Sequence, residues 1–136
     1  MPTQEWYAEL IRPTWAPPSW IFGPVWSVLY AIIAVSFGTI FYKVITREIP
    51  WTVALPFVLN LVFNFAFSPI QFGLKNNLLA SIDILLVLAT LVWAFAALWN
   101  AYPDLRWVVY VNVPYLLWVS FASTLQLTIT FLNRGL

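Results

Sequence analysis

The sequence predicts an all-α integral membrane protein, a bundle of four transmembrane helices. Three observations carry that prediction. The 136-residue chain is 62% hydrophobic and 8% charged, where soluble domains carry about 25% charged residues. Its mean hydropathy is +0.86. Its apolar residues gather in four runs, each long enough for the ~20 helical residues that a hydrocarbon core requires. The runs are apolar on all sides, whereas a membrane β-barrel alternates polar and apolar positions within each strand.

Composition also excludes whole classes of chemistry. The chain has no Cys and no His. Disulfides, thiol nucleophiles, Ser–His and Cys–His triads, and the usual ligands of zinc, copper and haem iron are therefore absent. A net charge of +1 gives no basic footprint for nucleic acid. The start, MPTQEWYAEL, has no basic stretch followed by an apolar one, so it does not read as a signal peptide.

Residues 1–18 form an interfacial lid segment rather than a span. Trp6, Tyr7, Leu10 and Ile11 fit one face of a short helix, with Glu5, Glu9 and Arg12 turned to headgroups. Pro13 ends it, because the residue before a proline avoids the helical region. Pro17-Pro18 then stiffens the approach to the first span. A proline in a helix's first turn costs little, since its missing N–H would have no partner there. The stretch WAPPSWIFGPVWSVLY, Trp15 to Tyr30, sets three tryptophans and a tyrosine among three prolines, with no charge between Arg12 and Lys43. It reads as a rigid loop feeding a helix that turns flat ring faces toward a flat ligand.

Residues 19–136 form the bundle, with spans at about 19–42, 51–72, 77–99 and 106–132. The connections are short: one with Lys43, Arg47 and Glu48, one from Lys75 to Asn77, and one with Asn100, Pro103 and Asp104. Short loops make neighbours antiparallel, which places both termini on the same side of the membrane. Arg12, Lys75 and Arg134 lie on that side and Lys43, Arg47 and Arg106 on the other. Equal numbers leave the positive-inside rule without a preference. Trp20, Trp51, Trp99, Tyr102 and Trp107 fall near span ends and read as interfacial anchors.

The second span carries a polar stripe at helical spacing: Asn60, Asn64, Phe67, Ser68 and Gln71. Amides in hydrocarbon must find partners or line a cavity. Asn60 suits a hydrogen bond between helices; Asn64 and Gln71, flanking Phe67, suit a cavity wall. In the fourth span Tyr115, Trp118, Ala122 and Leu125 share a face, either as a slot between rings or as ordinary packing around a small residue. Pro114 should kink this helix, and Pro56 the second. Ala34 and Gly38 make a small-xxx-small pair in the first span, suited to internal packing or to a dimer face. Asp83 is the one carboxylate well inside a span. It fits a structural hydrogen bond to an indole, a tyrosine or a helix end, which the lack of a second acid or His favours; proton coupling is the other role.

Three stretches together resemble the TspO/translocator protein family, the tryptophan-rich sensory proteins. RPTWAPPSWIFGPVWSVLY resembles the family's proline-rich lid and the helix after it. LVFNFAFSPIQFGLKNNLLASIDILLV resembles its Asn- and Phe-rich block with the Asp of the next helix, and VPYLLWVSFASTLQLTITFLN its closing helix. The resemblance implies a five-helix membrane fold of which this chain shows four, minus the first. It implies frequent dimerisation, which would cover the bare flank together with lipid. It also implies a porphyrin-binding pocket under the lid. The matching positions are Trp6, Tyr7 and Pro17 in the lid, Trp26 and Tyr30 on the first span, and Asn64, Phe67 and Gln71 on the second. Ile84 and Leu88 come from the third, and Trp118, Ala122 and Leu125 from the fourth. Trp6 and Trp118 match the tryptophans tied to porphyrin photochemistry, so any catalysis would be light-dependent porphyrin breakdown.

The expected function is binding of a planar hydrophobic ligand, a porphyrin or other tetrapyrrole, in tetrapyrrole sensing, transport or light-dependent degradation. Protoporphyrin IX or haem enters as ligand; no cofactor is obligatory. Stacked rings suit the macrocycle, and pocket N–H and amide donors suit its carboxylates. Partners are the bilayer and a second copy of the chain. The alternatives are a small proton-coupled multidrug exporter working through Asp83 and a structural or sensory partner with no ligand. The C-terminal stretch ASTLQLTITFLN lacks the Tyr and close basic residue of a sterol motif, so cholesterol is not the expected ligand.

Overall fold

The computed structural model describes residues 13–16, 19–70, 74 and 76–133, with the side chains of Ser19 and Ser68 left aside. The lid residues Trp6, Tyr7 and Pro17, and Gln71 of the second span, lie outside this set. The described residues are helical, with no strand among them. A 3-10 turn at Ser19–Ile21 leads into α1, Phe22–Ile45. α2 is Trp51–Ser68 and α3 is Asn77–Trp99. After a 3-10 turn at Pro103–Leu105 come α4, Arg106–Val111, and α5, Val113–Leu132. α1, α3 and α5 are long and apolar enough to cross a membrane, and α2 is a shorter apolar helix.

Local chemistry fixes the ends of these helices. α1 closes with Thr46 as its cap and Arg47 in the left-handed region, φ 62°. The Glu48 N–H donates to the Lys43 carbonyl at 2.8 Å and the Arg47 N–H to Val44 at 3.0 Å. This is the Schellman pair of bonds, with an arginine in the seat usually held by glycine. Lys43 also pairs with Glu48 at 3.3 Å. α3 starts on Asn76, whose side-chain oxygen accepts from the Leu79 N–H at 2.9 Å, the usual way to satisfy a free donor of the first turn.

Two expected features need adjusting. The second helix stops as a regular α-helix at Ser68, not Phe72, and a wide π-type turn takes in Pro69 and Ile70. Proline lacks the N–H that would continue the ladder, and its ring crowds the carbonyl four residues back. Pro56, by contrast, sits inside a continuous α2. The fourth span is broken at Asn112, two residues before Pro114, and so consists of α4 and α5. Asn112 is fully buried at the break; its Nδ2 donates to the Ser36 hydroxyl at 2.9 Å and to the Val108 carbonyl at 2.7 Å.

α2 and α3 make the most extensive helix–helix contact, followed by α3 with α5. α1 touches α2 and α4 more lightly, and its backbone makes no extensive approach to α5. The core runs through all these helices: Leu29, Phe37 and Ile40 from α1, Phe57 from α2, Leu91 and Leu98 from α3, Tyr115 and Val119 from α5. Phe37 and Phe57 meet edge to face at 4.8 Å. Ala34 and Gly38 take no part in this packing. Ala34 is exposed, and a Cβ at Gly38 would meet nothing within 4 Å. Trp20 and Trp51 are exposed at helix ends.

Candidate functional site

Two structures meet at the α1 side of the bundle: a buried chain of hydrogen bonds and a seam of aromatic rings. Asn60 and Asn64 stand four residues apart on α2, so both amides point the same way. That direction is toward Tyr115 on α5, whose ring is completely buried. The Tyr115 hydroxyl donates to Asn60 Oδ1 at 2.9 Å and accepts from Asn64 Nδ2 at 2.7 Å. At one end, Asn60 Nδ2 donates to the Val87 carbonyl at 2.9 Å and reaches Thr90 Oγ1 at 3.3 Å. At the other end, Tyr30 on α1 donates its hydroxyl proton to Asn64 Oδ1 at 3.1 Å. One chain of polar groups therefore joins α1, α2, α5 and α3. In hydrocarbon such groups must be satisfied by the protein itself. Asn60 makes the hydrogen bonds between helices expected of it, to Val87, Thr90 and Tyr115, and Asn64 turns one N–H of its amide to Tyr115.

The seam lies beside the open end of the chain. The Trp26 and Tyr30 rings, one turn apart, have centroids at 5.3 Å. Tyr30 stacks on Phe65 of α2 at 5.8 Å and 28°. Trp26 meets Tyr115 at 6.3 Å. A turn earlier, Phe22 meets Trp118 edge to face at 5.7 Å, and Trp118 lies 5.7 Å from Phe121. Trp15, in the segment before α1, caps Phe121 at 5.7 Å. Because the backbones of α1 and α5 stay apart here, these rings do the spanning. Ring faces at such separations prefer edge-to-face or offset contacts, worth roughly 0.5–1.5 kcal/mol per pair beyond their area.

Most of the predicted site residues that are described fall on this one body. Trp26, Phe67, Leu88, Trp118 and Ala122 are half-buried and pack against the same core, and Asn64 is buried beside Tyr30. Ile84 is itself part of the core and presents no open surface. Leu125 belongs to a second cluster, with Ile129, Ala16, Phe22 and Phe121. Asp83 is 5% exposed; among the described residues its Oδ2 is buried without a hydrogen-bond partner, as are Asn112 Oδ1 and the Ser123 hydroxyl on α5. Ser81 and Thr130 meet at 2.6 Å, and Gln126 reaches Thr130 and the Asn77 carbonyl, to bind α3 to α5 nearby. No group of three or more His, Cys, Asp or Glu side chains suited to a metal occurs among the described residues.

A cavity of about 350 Å³ lies at the other end of the bundle, lined by Lys43, Glu48, Tyr102, Asp104 and Trp107 among others. It is separate from the seam.

Comparison with known proteins decides the lineage. The model of the TspO/MBR family matches residues 1–132. The chain belongs to the TspO/MBR family. The tryptophan-rich protein TspO of Bacillus cereus is 38% identical over 128 residues, 94% of this chain and 80% of that protein. The human translocator protein is 32% identical over 133 residues, 96% of this chain and 76% of its own. Protein CrtK of Rhodobacter capsulatus is 29% identical over 130 residues, 96% of this chain and 79% of its own. Membership of the TspO/MBR family and three membrane-length apolar helices make this an integral membrane protein. Within this TspO/MBR chain, sequence reasoning passed over Phe22, Phe65 and Phe121 as ring partners. It took Tyr115 as a ring face and a hydrogen-bond donor without naming its partners, Asn60 and Asn64, which make its hydroxyl the centre of the polar chain.

Proposed function

We propose that this TspO/MBR-family protein binds a planar hydrophobic ligand, a porphyrin or related tetrapyrrole, against the aromatic seam between α1 and α5. One observation carries the reading. α1 faces α5 through Phe22, Trp26, Trp118 and Tyr115 rings while the backbones stay apart. Flat apolar surface spread between separated helices is what a planar guest requires. The names of the relatives, tryptophan-rich sensory protein and translocator protein, agree with a role in sensing or moving such a ligand. Light-dependent breakdown is the third role that the reading includes. There Trp118 stands against the ligand as an electron donor to the photoexcited ring. With no His or Cys in the chain, the protein holds the macrocycle by its faces, and the indole N–H groups of Trp26 and Trp118 are the donors offered to its carboxylates. The reading includes four crossings with both termini on one side, and a homodimer.

The test is a titration of the detergent-purified protein with protoporphyrin IX, followed by tryptophan fluorescence. Saturable quenching is expected, with affinity lowered at least several-fold by Trp118→Phe and left alone by Trp51→Phe. Quenching that does not saturate, or that ignores Trp118, overturns the reading. Cross-linking in membranes tests the dimer.

Asp83 favours a second reading, a proton-coupled exporter, because its Oδ2 is buried with no hydrogen-bond partner among the described residues. Drug-driven proton release from proteoliposomes, abolished by Asp83→Asn, would establish it; its absence removes it.

A further inference from the structure

We infer that Tyr30 selects for a ligand presenting an uncharged hydrogen-bond donor, a hydroxyl or an outward N–H, because the buried chain commits the Tyr30 proton inward. The inference deepens the proposed function and rests on it.

The far end of the chain holds a group that cannot change role. The Val87 carbonyl is an acceptor only. It lies 2.9 Å from the Asn60 amide nitrogen, so that end of the amide must be the NH₂. Thr90 agrees: its hydroxyl proton goes to the Leu86 carbonyl at 2.8 Å, which leaves its oxygen to accept from Asn60. Asn60 Oδ1 then faces Tyr115, so Tyr115 must donate to it at 2.9 Å. A hydroxyl has one proton. Tyr115 therefore accepts from Asn64 at 2.7 Å, which places the Asn64 NH₂ toward Tyr115 and its oxygen toward Tyr30. Tyr30 must then spend its single proton on Asn64. Reversing the chain would bring Asn60 Oδ1 against the Val87 carbonyl, two acceptors face to face in a buried site, which costs more than any one bond gained.

What remains at the open end is the Tyr30 oxygen with its lone pairs. Tyr30 is 38% exposed, and among the described residues nothing donates to it. The Tyr30 ring is itself packed between the Trp26 and Phe65 rings, so its oxygen is held in place within the aromatic seam. An ionised carboxylate is refused at this point, since it brings a second acceptor. A porphyrin is accordingly seated with its propionates away from Tyr30 and with a neutral donor, where it has one, toward it.

The test compares two porphyrins that differ only at this group, haematoporphyrin, with two side-chain hydroxyls, and its bis-O-methyl ether, the added methyl bulk being controlled by the Tyr30→Phe protein. Protoporphyrin IX serves as the reference. In the wild-type protein the hydroxyl form should bind roughly tenfold more tightly than the ether, the value of one desolvated hydrogen bond. Tyr30→Phe should level the two, on the same reasoning. Asn64→Leu keeps the Tyr30 hydroxyl but frees its proton, so the ether should gain and the preference should shrink. Equal wild-type affinities, or a preference that survives Tyr30→Phe, overturns this inference while protoporphyrin IX binding still upholds the proposed function. A preference unchanged in Asn64→Leu overturns the committed proton. Failure of every porphyrin to saturate overturns both.

Discussion

Replacing Tyr115 by Phe removes one oxygen atom and tests whether the polar chain holds the bundle together. The ring stays, so its contacts with Phe37 and Trp26 are kept and no cavity of consequence opens. What goes is the bond donated to Asn60 at 2.9 Å and the bond accepted from Asn64 at 2.7 Å. The amides left behind are 0% and 6% exposed, so water cannot replace the lost partner. In water-soluble proteins each stranded group would cost about 1–3 kcal/mol. In bilayers the unfolded reference also finds partners, and single interhelical bonds average about 0.6 with a maximum near 1.7 kcal/mol. Two short bonds sharing one oxygen at full burial place the loss at about 1–3 kcal/mol. Tyr30→Phe, which removes one bond at a half-exposed site, is the internal control and should cost about 0.6 kcal/mol or less. The measurement is unfolding by sodium dodecyl sulfate in mixed micelles, followed by far-ultraviolet circular dichroism. Combining Tyr115→Phe with Asn60→Leu should cost less than the two separately, since they delete one shared bond. Should Tyr115→Phe cost no more than Tyr30→Phe, the chain is not a stabilising element and the inward commitment of its protons loses its basis.

Three more predictions follow from local geometry. Arg47→Gly should raise stability by roughly 0.5–1 kcal/mol, because glycine occupies the left-handed region at φ 62° without steric cost; the same unfolding assay reads it. Asn112→Ala should cost about 1 kcal/mol, since it removes the bonds to Ser36 and Val108 at the α4–α5 break while Ser36 keeps its bond to the Ile32 carbonyl; it should also increase amide hydrogen exchange around residues 108–116. Asp83→Asn should leave the unfolding midpoint unchanged or raised at neutral pH, because no hydrogen bond is lost and a buried carboxylate without a partner is replaced by a neutral amide. A clear loss of stability there would show a partner that this geometry lacks.

The helical spans were legible because hydropathy is a sum over many residues and tolerates local error. The boundaries that departed did so for one-residue reasons that a sum dilutes. Pro69 ends α2 although the apolar run continues to Phe72, and Pro114 divides the fourth span although both halves are apolar. The polar stripe on α2 was legible as a stripe. Which side chain it would meet was not, because that depends on how α2 and α5 lie against each other, a relation that no local spacing encodes. The ring partners Phe22, Phe65 and Phe121 were hidden differently: with 19% aromatic residues, any one phenylalanine carries little information. Asp83 stood out by residue type alone, and its want of a hydrogen bond depends on neighbours from another helix.

The distribution of bonds between helices explains why an aromatic seam can sit beside a tightly satisfied core. α2, α3 and α5 are tied to one another by side-chain hydrogen bonds at Asn60, Asn64, Tyr115, Ser81, Thr130 and Gln126. Among the described residues α1 joins the other helices by side-chain hydrogen bonds at two places, Tyr30 to Asn64 and Ser36 to Asn112. Ring contacts do the rest. Hydrogen bonds are short and directional and fix a separation to a few tenths of an ångström. Ring contacts are broad and hold over centroid distances of about 4.5–7 Å. The α2–α3–α5 body is therefore positioned by its polar groups, while the width of the α1–α5 gap is set by aromatic bulk. On the proposed function, a planar guest would replace one ring contact by another of the same kind and break no directional bond. The bond nearest to it, from Tyr30 to Asn64, would stay satisfied from behind and leave the Tyr30 oxygen to read the guest.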